Sequence, residues 1–417
     1  MLAKLFNKVP SVIQFPAYAA LGVPSIFGFT RLILCLFVLI PLDYANYLLA
    51  YLYGQTLSYI LNFGSVEAIL KISTVDNINE SKNEFILRFN NLFTFYFVLL
   101  TFFLCIIIPL VFIALNFFTF ELKLLVICSA VSYSLFNTST TFQRASGEFV
   151  KYGLLNSLRI ILLFIPVTFL HFEIMQFYSF NEMLILECGI LLAFPAVLSA
   201  RHIKLNNINK NDFLSYLKDA YKGIQVSVGS FLKQIIFSGE RTLAKFMLSS
   251  LDFAIYSKWT LLFSGFLIAG SIFSTPLQRQ IIDLVNKSKK NHAKNKIFSI
   301  HMTTTIIGIL IGILASLIAG TFFHQYFLSF SSGHLMALIT ISFFAGFSFY
   351  DSYVLASSTG YTYIKLIILF SITSLCIALP MILISVTWGF SNQLIILFLA
   401  TAIISLSGLC TVKKDNV

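Results

Sequence analysis

The chain has 417 residues, of which 58% are hydrophobic and 11% charged, and it carries a formal net charge of +11. Soluble domains have roughly 25% charged residues, so this composition, with a mean hydropathy of +0.88, excludes an ordinary soluble protein. No polar stretch is long enough to form a separate soluble domain.

In chain order, Lys4 and Lys8 precede Pro10 and Pro16, and no small-residue cleavage site follows. The first apolar segment is therefore expected to be retained rather than removed as a signal peptide. A spanning helix needs about 20 mainly apolar residues. Apolar runs and their polar breaks predict spans over 18–42, 44–61, 92–115, 123–142, 153–172, 181–200, 224–249, 254–276, 297–320, 335–357, 362–386 and 391–411. The break between the first two rests on Asp43 alone. The fold class expected is an all-α membrane protein of about twelve transmembrane helices, in two six-helix bundles around a central cavity.

Lysine and arginine crowd cytoplasmic loops. With a cytoplasmic N-terminus, the inside segments hold clusters such as Lys71, Lys82 and Arg88, Arg144 and Lys151, Arg201 to Lys222, Arg279 to Lys296, and Lys413 with Lys414. The outside turns hold only Lys123. A false span would invert everything after it, so the pattern argues for an even count and two cytoplasmic termini. The net charge is mostly this orientation signal and requires no nucleic-acid partner.

Segment 201–223 is basic, with Asp212 as a cap followed by Phe213, Leu214, Leu217 and Tyr221 at helical spacing. It reads as an interfacial amphipathic connector between an N-terminal bundle (1–200) and a C-terminal bundle (224–417). Six plus six is a common transporter layout. The six cysteines lie singly in apolar segments without metal-ligand or redox spacing, so they read as small core residues, and no cofactor or metal is expected. Pro24, Pro109, Pro166, Pro195, Pro276 and Pro380 sit within spans, where each can kink its helix.

The residues that bear on chemistry are the charges inside the spans. A charge at the bilayer centre costs about 2.5–3.5 kcal/mol on insertion scales, so it faces a wet cavity or a partner. Arg31 lies mid-way along the first span, facing a cavity or paired with an acid such as Glu240 or Asp351. In the seventh span, Lys233 and Glu240 are nearly in line and Arg241 is about 80° away, with Lys245 on the same broad face. One acid cannot neutralise three bases. Arg159, close to the inner boundary, extends the series Tyr152, Asn156, Arg159 at i, i+4, i+7, whereas Lys258 sits at the outer boundary, where snorkelling accounts for it.

Uncharged polar residues form stripes. Tyr44, Tyr47, Tyr51, Gln55, Ser58 and Asn62 recur every three or four residues along the second span, and Ser129, Tyr133, Asn137 and Thr141 do so along the fourth. Tyrosine rings and amides suit sugars, which present apolar faces and hydroxyls. Helix–helix contact is the alternative for any one of these residues.

With these features assembled, the chain resembles the Wzx-type polysaccharide flippases of the multidrug/oligosaccharidyl-lipid/polysaccharide (MOP) exporter superfamily. Leu61–Lys71 (LNFGSVEAILK), Thr140–Glu148 (TTFQRASGE) and Phe253–Trp259 (FAIYSKW) are similar to segments of that family. The resemblance implies a non-enzymatic flippase of a bacterial inner membrane. Its substrate would be an undecaprenyl-pyrophosphate-linked oligosaccharide such as an O-antigen unit, carried from the cytoplasmic to the periplasmic leaflet. Arg31, Lys233, Arg241 and Arg159 would hold the pyrophosphate. Tyr51, Gln55, Ser58, Asn62, Tyr133 and Asn137 would contact sugars, and Glu240 or Asp351 would couple transport to sodium or protons. Contacts with glycan polymerase machinery are a further expected partnership. Two rivals stand: a MATE-type drug/cation antiporter of the same superfamily, whose cavity should be acidic, and a membrane glycan polymerase or glycosyltransferase, which should carry a large outer loop with catalytic residues.

Overall fold

The computed structural model describes residues 15–66, 69, 82–146, 148–172, 179–203 and 290–322, with separate positions between 221 and 285. Eight helices are delimited: α1 (Phe15–Val38), α2 (Pro41–Leu61), α3 (Lys82–Ala114), α4 (Phe120–Ser146), α5 (Phe149–Leu162), α6 (Phe164–His171), α7 (Phe180–Ala200) and α8 (Lys290–Phe322). No strand occurs among the described residues. The six N-terminal spans and the ninth coincide with these helices. The remaining spans, the 201–223 connector helix and the boundary between the bundles fall largely or wholly outside the described residues.

Local chemistry explains several helix ends. Pro41 opens α2, where its missing N–H costs nothing. The Glu182 carboxylate accepts the Ser179 N–H at 2.9 Å as α7 begins, a capping-box contact. After α2 the backbone turns through Phe63 (φ 46°) and Gly64 (φ 70°). A Cβ on Gly64 would lie 2.0 Å from the Ile224 backbone nitrogen, so both the left-handed backbone and the neighbouring segment demand glycine there.

Several span bounds differ from expectation. α3 starts ten residues earlier than the apolar run and has 33 residues, or about 50 Å, longer than the ~30 Å hydrocarbon core. The fifth span is two helices, α5 and α6, meeting at Leu163. Pro166 supplies no N–H to the Leu162 carbonyl, and its ring crowds that carbonyl.

The helices pack with α4 central, against α2 on one side and α7 on another, while α1 lies along α5. Small residues bring backbones together, as is usual between membrane helices. A Cβ on Gly54 would meet Ser129 Oγ at 1.7 Å, and one on Gly153 would meet the Ala20 carbonyl oxygen at 2.2 Å. By contrast α3 turns Val98, Phe102, Ile106, Leu110 and Ile113 outward, the apolar face a lipid-exposed helix presents. Four described segments are long and apolar enough to cross a membrane: Phe89–Ala114, Phe120–Arg144, Phe149–His171 and Phe180–Ala200.

Candidate functional site

Arg31 on α1 is buried, with 5% exposure. Its Nη2 donates to the Glu187 carboxylate of α7 and to the Tyr47 hydroxyl of α2, and it reaches the Tyr51 hydroxyl at 3.2 Å. Tyr47 in turn donates to Glu187 at 2.9 Å, and Tyr51 donates to the same carboxylate. Tyr47 and Tyr51 are one helical turn apart, with ring centroids separated by 5.1 Å. The guanidinium lies 5.7 and 5.1 Å from their centroids. Its Nε donates to the Leu163 carbonyl at 3.0 Å, at the break between α5 and α6.

Four structural segments thus converge on one guanidinium. The cluster is neutral overall, and Glu187 accepts from three donors. Removing one partner of such a buried pair costs about 3–5 kcal/mol, because it strands the other charge. Sequence reasoning singled out Arg31 but missed Glu187. The acids considered for it, Glu240 and Asp351, lie outside the described residues, as does Lys233.

Arg159 on α5 is different. It is the eleventh of the 23 residues in Phe149–His171, about 15 Å of helix from the nearer end. The helix thus begins four residues before the apolar run at 153, and Arg159 stands in the second half-turn beyond Asn156 rather than at either end of Phe149–His171. Its guanidinium lies 4.8 Å from the Tyr133 centroid and 4.3 Å from that of Phe136. Nε and Nη1 have no hydrogen-bond partner among the described residues, and neither does the neighbouring Asn156 Oδ1. Arg159 is 8% exposed, and no carboxylate pairs with it among the described residues.

The polar stripe of α2 divides its duties. Tyr47 and Tyr51 serve the ion pair. Ser58 donates to the Gln55 carbonyl at 2.7 Å, and Asn62 accepts from Ser134 at 2.8 Å, whose hydroxyl meets Tyr96 at 2.6 Å. Gln55, Tyr133 and Asn137 keep partial exposure. Along its other side α2 meets positions of the predicted seventh span. Lys245 Nζ donates to Asn46 at 2.6 Å, the Tyr53 hydroxyl and Thr242 are 2.6 Å apart, and Ser227 donates to the Tyr59 carbonyl at 2.5 Å. Arg241 is half-buried on that segment, close to Tyr44. No group of three potential metal ligands occurs among the described residues.

Beyond the end of α7, His202 Nδ1 lies 3.1 Å from the Asn90 side-chain oxygen. Its Nε2 accepts from Arg201 at 3.2 Å, which fixes the neutral tautomer with the proton on Nδ1. Burial and then the Arg201 charge lower its pKa to about 4.

No protein-family model and no curated protein sequence matches the chain. Solved structures do. A Vibrio cholerae MATE transporter superposes with TM-score 0.68 at 12% identity, over 96% of this chain and 95% of that one. An outward-facing multidrug resistance MATE family transporter of the MOP superfamily gives 0.69 at 12%, over 96% and 94%. The fold is that of the MATE transporters. A MOP superfamily transporter from Pyrococcus furiosus shares it, with TM-score 0.69 at 11% identity over 96% and 94%, and that protein is described as having a binding pocket of reverse polarity that suggests a different function. Within this MATE fold the Arg31–Glu187 cluster and Arg159 both belong to the N-terminal set of helices.

Proposed function

We propose that the chain is an alternating-access transporter whose substrate carries an anionic head group, specifically an undecaprenyl-pyrophosphate-linked oligosaccharide moved across a bacterial inner membrane. The observation that carries the anionic reading is the balance of buried charge. Glu187 is cancelled by Arg31, which leaves Arg159 buried without a carboxylate among the described residues. A lipophilic cation entering this half meets an uncompensated guanidinium, and an anion is drawn to it. The half-buried Gln55, Tyr133 and Asn137 are assigned to the sugars. Lys233 and Arg241 stay assigned to the head group.

The MATE-type drug/cation antiporter is the second reading, favoured by the names of the structural neighbours. The reversed pocket polarity described for the Pyrococcus furiosus neighbour supports a reading in which pocket polarity varies within this fold. Sodium or proton coupling belongs to either reading. Glu240 or Asp351 stays assigned to that coupling.

The test is transport by the full chain in proteoliposomes. A fluorescent polyprenyl-pyrophosphoryl oligosaccharide is followed from one leaflet to the other, beside uptake of the lipophilic cation ethidium. Glycolipid movement without ethidium uptake is expected. Ethidium uptake with no glycolipid movement refutes the anionic reading.

A further inference from the structure

The polar face of α5 continues past Arg159 toward the α4–α5 turn. Tyr152, Asn156 and Arg159 follow one another at i, i+4 and i+7, so Tyr152 and Arg159 are about 10 Å apart along the helix. Arg144, in the last turn of α4, places its guanidinium 5.8 Å from the Tyr152 centroid. Its Nε is buried and has no partner among the described residues. Aromatic faces thus hold two guanidiniums, one at the end of α4 and one along α5, while Arg144 Nε and Arg159 Nε and Nη1 have no hydrogen-bond partner among the described residues. Between them lies an unspent acceptor, Asn156 Oδ1.

We propose that Arg144, Asn156 and Arg159 form a binding track for a pyrophosphate-type anion, with Arg144 as the first contact and Arg159 as the deep one. The proposal rests on the anionic reading above and names the groups that would execute it. Unsatisfied buried donors on guanidinium groups call for oxyanion acceptors, which make the stronger, charge-assisted hydrogen bonds. The orphaned acceptor beside them calls for a hydrogen. A carboxylate supplies only acceptors. A phosphoryl group with a P–OH, or with an attached sugar hydroxyl, supplies both. The distribution of lysine and arginine along the sequence puts the Arg144 end at the cytoplasmic face, where a lipid-linked head group or a soluble phosphorylated compound is met first. These two sources share the same chemistry.

The test measures binding to the purified full chain in lipid nanodiscs. One arm titrates inorganic pyrophosphate, and a second incorporates polyprenyl pyrophosphate with polyprenol as the uncharged control. Saturable pyrophosphate binding is expected, weakened about tenfold or more in Arg159→Met, weakened less in Arg144→Met, and unchanged in Lys151→Ala, which alters an exposed charge nearby. Arg159→Lys keeps the charge but loses the fork; it is expected to bind at an intermediate level and serves where Arg159→Met fails to fold. Stronger binding of polyprenyl pyrophosphate identifies the lipid head group as the source, and stronger binding of inorganic pyrophosphate a soluble one; either sustains the site. Absence of saturable binding, as when ordered water alone fills the track, overturns it. So does equal affinity of folded Arg159 variants and wild type. Pyrophosphate binding that depends on Arg159 without glycolipid transport upholds the site while removing the flippase reading, so the two fail separately.

Discussion

Glu187→Leu breaks the buried ion pair of the N-terminal bundle from one side. The substitution removes the acceptor used by the Arg31 guanidinium, Tyr47 and Tyr51 and leaves a full positive charge in a site with 5% exposure. Breaking a buried pair from one side costs about 3–5 kcal/mol. Using the unfolding entropy of ordinary domains, about 2.1 cal/mol/K per residue, a 417-residue chain melting as one unit loses about 3–6 °C. The companion double variant, Arg31→Met with Glu187→Leu, removes both charges and keeps apolar volume, and such replacements are often neutral or stabilising. Thermal unfolding in detergent of wild type, both single variants and the double variant completes the cycle. The expected pattern is two destabilised single variants and a double variant near wild type. A Glu187→Leu protein as stable as wild type, or a double variant whose loss equals the sum of the single losses, refutes the account of a mutually dependent pair.

Gly54→Val drives a branched side chain into Ser129 and the Val126 carbonyl. Overpacking there is expected to cost at least 1–3 kcal/mol, visible as a lower unfolding temperature, and a wild-type Tm would show that α2 and α4 do not meet at this point. His202 makes a pH-dependent contribution with a defined sign. Its folded pKa is about 4 and its ordinary value about 6.5, so between those values the unfolded chain binds more protons and stability rises with pH. The contribution is complete above about pH 6.5 and is lost as pH falls toward 4. His202→Gln should flatten that part of the Tm profile relative to wild type, and parallel profiles would remove His202 as the cause.

Much of the architecture could be read from the sequence because long apolar runs and the placement of lysine and arginine are redundant signals. Five of the first six spans needed only adjusted ends, and the fifth divides into two helices. The break at Leu163 was foreshadowed by Pro166, since the loss of an N–H is a local property. The candidate site was less legible, because it depends on which residues from distant spans meet. A lone acid in an apolar helix is as costly as a lone base, and applying that rule to Glu187 as it was applied to Arg31 would have supplied the partner. The surroundings of Arg159 were not legible either, because the rings of Tyr133 and Phe136 that cover its guanidinium come from a different span. The tyrosine stripe was visible by periodicity, but periodicity cannot divide hydroxyls between a carboxylate and a sugar.

The Leu163 carbonyl and the Glu187 carboxylate are held by one rigid, planar group. That plane cannot swing toward either partner without withdrawing from the other, so a carbonyl of the fifth span and a carboxylate of the sixth depend on a single set of side-chain torsions. The two contacts therefore hold or fail together, without an intervening chain of residues.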